Sequence, residues 1–491
     1  MTKLEIAGNE QHAPSTSRWL ALIILCTGFL MIVVDGTIVN VALPSIQKDL
    51  GFTQTDLAWI VNAYLIAFAG LLLLSGRLGD LIGRRRIFLI GLGIFIAAST
   101  LCGLSFTQPM LIAARFIQGI GGAASSAVIL GMIVTLFPEP GDRARAMGIF
   151  AFIASAGASV GLLAGGLITQ AVSWHWIFFV NLPIGVATTL LALRFINKDV
   201  ALGLGEGADL IGAFLVTAAL MLGVYAIVES NTYGFASLHT LAFGGVAVVM
   251  LVAFIARQAR VRNPILPLRI FRIRTVSITN LVQGLMVVGM FGVFFLGSLD
   301  FQRVLHYGPM AIGLAFLPVA VTMGALSADG TARLIMRFGA QRVVIAGEAL
   351  IMIALILLVR TPVSSDYFRD LLLPMVLMGI GGGLAFPSLA ILAMADVAPE
   401  DSGLASGLLN TTAQVGGALG LAVLATVSTS QTGSLLAGGN SLSAALSGGY
   451  HYAWAVGVAV VIVALALSTS LLVLKNPVRV AEPAEELEAS A

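Results

Sequence analysis

The sequence is poor in charge, in lysine and in cysteine. Charged residues make up 10% of its 491 residues and hydrophobic residues 58%, whereas an ordinary soluble domain is about 25% charged. This composition excludes a water-soluble globule, and a formal net charge of +2 is too small to favour nucleic acid as a partner. Only four residues are lysines and none follows a glycine, so the Gly-Lys-Ser/Thr phosphate loop of an ATP-driven motor is missing.

The residues that usually bind metals or form disulfides are also scarce. The two cysteines, Cys26 and Cys102, lie in apolar runs, and the five histidines are scattered without ligand spacing. Neither a disulfide framework nor a zinc site is expected from this pattern. We therefore predict that the protein needs no cofactor.

Long apolar segments account for most of the chain. A helix that crosses about 30 Å of hydrocarbon needs about 20 apolar residues, and backbone groups in lipid must pair internally. The prediction is an all-α polytopic membrane protein with 14 transmembrane helices. The fourteen segments lie near 19–42, 57–76, 87–106, 109–136, 145–170, 175–196, 208–228, 238–257, 275–299, 310–328, 343–360, 370–394, 403–427 and 450–474.

Positive charge lies almost entirely on one side of these spans. All but five of the 26 basic residues fall on the side of the N-terminus, and such an excess marks the cytoplasmic side of a membrane. We expect both termini in the cytoplasm, with a tail at 1–18 that has no signal-peptide pattern and a second tail at 475–491. The cell membrane is the predicted location, and inner and outer are used in this sense throughout.

Glycine motifs repeat at a nearly constant offset. The matched positions are the run 119–122 with 379–382, Gly83 with Gly339, and Gly91 with Gly347. Spans 1–6 thus match spans 9–14, with two inserted spans between them. We predict a six-helix bundle at 19–198, two inserted helices at 199–258, a basic cytoplasmic linker at 259–274 and a second six-helix bundle at 275–474. Two parallel repeats around a midplane cavity are a plan of secondary transporters.

Four short motifs carry the polar residues of the first half. They are the first-span sequence Asp35–Pro44, the loop Gly76–Arg86 between spans 2 and 3, Arg115–Gly119 in span 4, and Trp174–Gly185 at the entry to span 6. Together they resemble the motifs of the major facilitator superfamily, specifically its fourteen-span drug:proton antiporters. The resemblance covers nearly all of residues 19–474, and it implies the major facilitator fold and proton-coupled export by alternating access.

The glycine-rich fifth span departs from that family's pattern at one position. Gly157, Gly161, Gly165 and Gly166 match the antiporter motif, but Leu162 occupies the place of its proline. Proline would remove a helix hydrogen bond and kink the span, so we expect a straighter helix here. The departure leaves open the direction of transport and its coupling to protons.

Asp35 and Arg115 are the predicted proton-coupling residues. A carboxylate deep in a membrane helix costs about 2.5–3.5 kcal/mol on insertion scales, so Asp35 should face a cavity or a partner. Arg115 lies at a similar depth by residue count, and the resemblance implies that it takes part in proton transfer. The alternatives are a hydrogen-bonded packing role for Asp35, and an arginine that snorkels outward or caps neighbouring carbonyls.

The loop between spans 2 and 3 is the predicted gate. The resemblance implies that Asp80, with Gly76, Gly83 and Arg84, latches the two halves in one state, although membrane topology alone also explains the arginine. Other polar residues are predicted to contact cargo, with interhelical hydrogen bonds or a salt-bridged rim as the alternatives. They are Asn40, Gln118, Asp300, Asn410 and Gln414.

The predicted function is proton-coupled efflux of lipophilic or cationic drugs and toxic compounds. The expected partners are small lipophilic substrates, protons and membrane lipids, with the proton-motive force in place of a cofactor and a monomer as the functional unit. A lipid or metabolite exporter that is not driven by protons, a channel, and a membrane-embedded enzyme are the alternatives. An enzyme is disfavoured because the sequence shows no clustered nucleophile, base or metal ligands.

Overall fold

The computed structural model of this chain describes residues 15–137, 139–197, 203, 209–326, 330–397 and 402–474, and every regular element within them is helical. Most of the predicted N-terminal tail and all of the tail at 475–491 lie outside the described residues. A helix satisfies its own backbone hydrogen bonds in lipid, which is why so apolar a chain folds in this way. The predicted all-α class is confirmed.

Sixteen α-helices lie in the described residues. Those of the first half and the inserted pair are α1 (Ser15–Leu50), α2 (Gln54–Ile82), α3 (Arg84–Gly103), α4 (Gln108–Leu136), α5 (Pro140–Ala171), α6 (Trp176–Phe179), α7 (Asn181–Phe195), α8 (Leu210–Tyr233) and α9 (Leu238–Gln258). A 3-10 turn, Leu268–Arg272, leads into the rest. These are α10 (Arg274–Arg303), α11 (Pro309–Ala325), α12 (Thr331–Phe338), α13 (Ala340–Val359), α14 (Leu372–Met394), α15 (Ser402–Ala437) and α16 (Leu442–Leu474).

Helix ends coincide with residues suited to end helices. α2 starts after Thr53, whose hydroxyl accepts from the backbone N–H of Asp56 at 3.0 Å. α9 starts after Ser237, which accepts from the backbone N–H of Thr240 at 3.1 Å. The break between α2 and α3 is Gly83, with a φ of 104° that L side chains rarely adopt. Short-range sequence therefore fixes these turns.

Twelve helices in the described part of the chain are long and apolar enough to cross a membrane. Two shorter apolar helices, Val160–Ala171 within α5 and Pro309–Ala325, occupy the positions predicted for spans 5 and 10. Predicted span 6 is divided between α6 and α7. The multi-span helical membrane fold is established, and the number of fourteen spans stays a prediction.

The sequence repeat has a counterpart in helix packing. A Cβ added at Gly91 would lie 2.8 Å from the carbonyl oxygen of Gly121, and one at Gly347 would lie 2.7 Å from that of Gly381. Gly339, the turn residue before α13, has a φ of 84°, comparable with the turn before α3. Because such close backbone approach needs glycine, the pair α3–α4 and the pair α13–α14 pack in the same way.

The two inserted helices pack where the halves of the chain meet. α8 lies against both α2 and α15, and α9 packs on α8. The hydroxyl of Thr426 on α15 donates to the carbonyl of Ile227 on α8 at 3.2 Å. A Cβ at Gly70 on α2 would overlap the side chain of Thr217 on α8. The inserted pair thus covers the side of the molecule without entering its centre.

A buried carboxylate ties the inner ends of these helices to the linker. Asp209 accepts from the N–H of Gly212 at 2.9 Å, from Arg257 at 2.6 Å and from Gln258 at 2.7 Å. Gln258 in turn accepts from the backbone N–H of Leu266 at 3.0 Å. Although burial favours the neutral acid, these hydrogen bonds hold the pKa of the Asp209 carboxyl below its usual value.

Candidate coupling site and cargo cavity

Asp35, within α1, is fully buried and accepts three hydrogen bonds. Arg115 donates from Nη1 to Oδ2 at 2.6 Å. Gln118 donates from Nε2 to Oδ1 at 2.7 Å, and Asn181 donates from Nδ2 to the same oxygen at 2.9 Å. The acid and the arginine that were predicted to act together therefore form a direct ion pair between α1 and α4.

Arg115 turns into the protein and does not snorkel to the outer surface. Its Nε donates to the carbonyl of Ile60 at 3.1 Å, and its Nη1 also donates to Oε1 of Gln118 at 2.7 Å. The guanidinium carbon lies 4.3 Å from the centre of the Tyr64 ring, where a cation is attracted to the aromatic face. One carboxylate, two oxygen acceptors and a ring thus stabilise this buried charge.

Asn181 belongs to this cluster although the sequence did not single it out. Its Nδ2 also donates to Oγ of Ser99 at 3.0 Å, and Ser99 donates onward to the carbonyl of Phe178 at 2.9 Å. The residue stands in the motif at the entry to span 6, but it reaches an acid 146 positions earlier in the chain. A polar amide in an apolar span was the one signal available.

All three side chains around Asp35 act as donors. This is the pattern expected for an ionised carboxylate, which can only accept. A proton on Oδ2 would displace the N–H of Arg115, and a proton on Oδ1 would compete with Gln118 and Asn181. Protonation of the acid and loosening of the arginine are therefore linked by hydrogen-bond geometry.

A cavity of about 910 Å³ extends from this cluster to the inner end of the molecule. Arg115 lies in its wall, and Asn410 and Gln414 on α15 line it from the second half of the chain. Few polar groups on an otherwise apolar, aromatic wall are typical of small-molecule sites. The aromatic side chains, from four helices, are Phe29, Tyr64, Phe68, Phe150 and Phe291.

The other predicted cargo residues lie outside the wall of this cavity. Asn40 donates from Nδ2 to the carbonyl of Gly36 within α1 at 3.2 Å. Asp300 is buried near the outer end of α10, and Gln118 lies behind Arg115. Depth along a helix can be counted from sequence, but rotation about its axis depends on packing. Cargo contact by these three residues stays a prediction.

Three of the four predicted gate residues, Gly76, Asp80 and Arg84, line the inner end of the cavity, and the fourth, Gly83, forms the turn beside it. Oδ1 of Asp80 accepts from Arg84 at 3.0 and 3.2 Å, and Arg84 also donates to the carbonyl of Gly131 and the hydroxyl of Thr135, each at 3.1 Å. These bonds tie together α2, α3 and α4. A latch between the halves stays a prediction. The mouth is lined by Gly76, Arg77, Asp80 and Arg84 and, from the linker, by Pro264, Ile265 and Pro267.

Direct contacts between the halves close the outer end. Gln54 on α2 donates to the hydroxyl of Ser428 on α15 at 3.1 Å and accepts from Arg303 on α10 at 3.2 Å. The hydroxyls of Thr55 and Thr429 are 3.2 Å apart. The cavity is therefore open at one end and sealed at the other.

The span 5 glycines bring α5 close to two helices. Leu162 is buried, and its carbonyl oxygen would lie 2.5 Å from a Cβ at Gly313 on α11. α5 is continuous through Leu162. A Cβ added at Gly161 would overlap the side chain of Thr37 on α1, and one added at Gly165 would lie 2.7 Å from the carbonyl oxygen of Ile38 on α1. A Cβ added at Gly166 would lie 2.8 Å from the carbonyl oxygen of Pro309 on α11.

Among the described residues, no group of three His, Cys, Asp or Glu side chains is placed to hold a metal ion. Cys26 and Cys102 are both free and buried.

Comparison with known proteins agrees with this architecture. The chain is 38% identical over 454 residues to the puromycin resistance protein pur8 of Streptomyces alboniger, covering 91% of this chain and 90% of that protein. It is 37% identical to the cephamycin export protein CmcT of Amycolatopsis lactamdurans, covering 88% and 90%. Among solved structures, the POT family transporter PepTSo superposes with a TM-score of 0.68 at 16% identity, covering 94% of this chain and 100% of that one. The family model described as Major Facilitator Superfamily matches residues 25–421 and 331–490, and the chain therefore belongs to the major facilitator superfamily of transporters.

Proposed function

We propose that this chain exports lipophilic, including cationic, small molecules across the cell membrane in exchange for protons. Its membership of a transporter family and the resistance and export names of its relatives support this class of cargo. One observation carries the proposal: the Asp35 carboxylate is buried, is held by three donors and is linked through Arg115 to the cavity.

Protonation of Asp35 changes the charge that a cargo meets. While Asp35 is ionised, its pair with Arg115 is neutral overall. Once Asp35 is protonated, Arg115 carries an uncompensated positive charge in the cavity wall. A monovalent cation about 6 Å from the guanidinium is then destabilised by about 2.8 kcal/mol at an effective dielectric constant of about 20, a roughly hundredfold loss of affinity. Proton and cationic cargo therefore compete without sharing a site.

The proposed cycle alternates access to the cavity from the two sides of the membrane. With both termini in the cytoplasm, the present arrangement faces inward, and cargo enters while Asp35 is ionised. The bundles at 19–198 and 275–474 then rock, and a proton from outside reaches Asp35 and expels the cargo. Loss of that proton to the cytoplasm restores affinity.

Asp80 and Arg84 act in this cycle as a latch at the inner end. Their side chains are 39% and 34% exposed in the present arrangement, and a partly exposed pair contributes about 0–1 kcal/mol. Exchanging Arg84 for a partner on the second half therefore costs little. We propose that this exchange holds the mouth closed in the outward-facing state.

Vesicles that contain purified protein and a trapped pH-sensitive dye test the function. Lipophilic dyes, antibiotics and lipids are added one at a time, and proton movement that saturates with one of them supports proton-coupled export. Saturable transport without proton movement would instead support a lipid or metabolite exporter that is not driven by protons. Cargo flux without saturation or counterflow would indicate a channel.

A further inference from the structure

A groove of about 560 Å³ runs between α3 and α7 on the outside of the molecule. Its wall is apolar except for Thr100 and Thr189, and their hydroxyls donate to carbonyls of their own helices at 2.9 and 2.8 Å. Leu101, Val186 and Leu190 on the wall are 43%, 44% and 62% exposed. Because both helices lie in a membrane-spanning segment, this exposed surface faces hydrocarbon and not water.

Gly93 opens the floor of the groove. A Cβ added there would meet nothing within 4 Å. Two residues earlier, Gly91 packs directly against α4, where a Cβ would lie 2.8 Å from the carbonyl oxygen of Gly121. Gly93 therefore does not serve packing between the described helices, and the space above it is open to the surroundings of the protein.

Two exposed arginines lie inward of the groove, whose lining begins at Gly93 on α3 and ends at Leu190 on α7. Arg86 lies seven residues before Gly93 on the same face of α3, about 10 Å further inward. Arg194 follows Leu190 by four residues on α7, and both arginine side chains are exposed. The two basic groups thus stand inward of the groove, at the depth of lipid headgroups, one on each of the two helices that form it.

The start of α3 adds to this positive potential, and a hydrogen bond joins α3 to α7 beside the two arginines. Nη2 of Arg85 donates to the carbonyl of Leu193 at 2.5 Å, which joins the start of α3 to the end of α7. α3 begins after Gly83, so the positive end of its helix dipole lies near the two arginines.

We propose that this groove binds one anionic phospholipid, with its phosphate between Arg86 and Arg194 and one acyl chain against Gly93. The apolar wall fits an acyl chain, and the two arginines favour an anionic over a zwitterionic headgroup. In the proposed topology the site faces the cytoplasmic leaflet, where anionic lipids are found. The site is separate from the cargo cavity and does not depend on the proposed function.

Photoactivatable lipids test this site in the full-length protein. The protein is reconstituted in phosphatidylcholine vesicles with a trace of phosphatidylglycerol that carries a photoactivatable group on one acyl chain. A matched phosphatidylcholine probe is used in parallel. Each basic residue at such an interface changes binding about fivefold. We expect phosphatidylglycerol to label 93–101 and 182–190 at least about fivefold more than phosphatidylcholine does.

Two pairs of variants separate headgroup from acyl chain. R86Q/R194Q should bring the labelling ratio close to one, whereas R260Q/R262Q, which removes two arginines from the linker, should leave it unchanged. Gly93→Trp should reduce labelling by both probes, whereas Gly245→Trp, at a second exposed glycine with nothing within 4 Å, should not. Equal labelling of the wild-type protein by the two probes, a ratio that R86Q/R194Q leaves intact, or cross-links to a second copy of this chain would overturn the proposal.

Discussion

Replacing Asp35 by asparagine tests the proposed coupling most directly. The amide keeps the shape of the side chain but has no proton to exchange. In vesicles with a pH difference of one unit and no membrane potential, one proton per cargo supplies about 1.4 kcal/mol, or a tenfold gradient of a neutral cargo. We expect the wild-type protein to approach that gradient. Asp35→Asn should hold no gradient while still exchanging labelled for unlabelled cargo.

The same substitution has a calculable effect on stability. Arg115 loses the carboxylate at 2.6 Å, and removing one partner of a buried pair costs about 3–5 kcal/mol. The guanidinium keeps its bonds to Ile60 and Gln118 and borders the cavity, so the lower end of that range is expected. The double variant Asp35→Asn with Arg115→Gln removes both charges. It should regain much of the melting temperature without regaining coupling.

Asp56→Asn is the matched control for the coupling assay. This acid lies at the outer start of α2, where it accepts from the hydroxyl of Thr53 at 2.7 Å, and it takes no part in the Asp35 cluster. The cargo gradient that Asp56→Asn builds up should equal the gradient built up by the wild-type protein. A tenfold gradient retained by Asp35→Asn, in vesicles that the control shows to be tight, would refute the coupling argument.

Gly161→Ala places a methyl group against α1, and overpacking should lower the free energy of unfolding by about 1–3 kcal/mol. Gly433→Ala, where an added Cβ meets nothing within 4 Å, should not lower the melting temperature, and equal melting of the two variants would contradict the packing argument. Although burial opposes ionisation of Asp209, hydrogen bonds hold the pKa of its carboxyl below the usual value. The ionised Asp209 therefore contributes fully to the free energy of unfolding above about pH 4, and this contribution is lost as the pH falls through the lowered pKa. In a plot of melting temperature against pH, Asp209→Asn should therefore show a smaller decrease on the acid side. Phe291→Ala removes an aromatic side chain from the cavity wall and should raise the KM for lipophilic cargo about fivefold. The exposed Phe106→Ala should leave that KM unchanged, and the same KM for both variants would remove Phe291 from the cargo site.

The helices could be predicted from sequence because backbone groups in lipid must pair internally and the apolar runs are long enough for spanning helices. Apolar length located the spans, and glycine spacing located the repeat that α3–α4 and α13–α14 share. The division of span 6 into α6 and α7 was not predicted. The interruption is slight: Val180 keeps helical dihedrals, with a φ of −61° and a ψ of −25°, and it precedes Pro183, which has no backbone N–H to donate to the preceding turn.

The candidate site could be predicted only in part. Asp35 and Arg115 were expected to meet because each is too costly to leave unpaired in a span. Asn181 was missed because burying an uncharged amide costs less free energy than burying a charge, so its presence in a span does not by itself demand a partner. Asp300 was expected to contact cargo or to form a salt-bridged rim, and it is buried near the outer end of α10, away from the wall of the cavity, so its contact with cargo stays a prediction. The direction of a side chain depends on how the helices pack, and counting residues along one helix does not predict that packing.

The hydrogen bonds that join Gln54 and Thr55 to α10 and α15 at the outer end are individually weak. Three hydrogen bonds of 3.1–3.2 Å join these residues, and a typical hydrogen bond contributes about 0.5–1.5 kcal/mol net, so breaking these three bonds alone costs about 3 kcal/mol. The backbone N–H of Met310 on α11 also donates to Gln170 on α5 at 3.2 Å at the same end. The descent of one proton through 100 mV releases about 2.3 kcal/mol, which is of the same size. In the proposed cycle these hydrogen bonds break and re-form at each turnover, whereas interhelical salt bridges in their place would hold the protein in the inward-facing state.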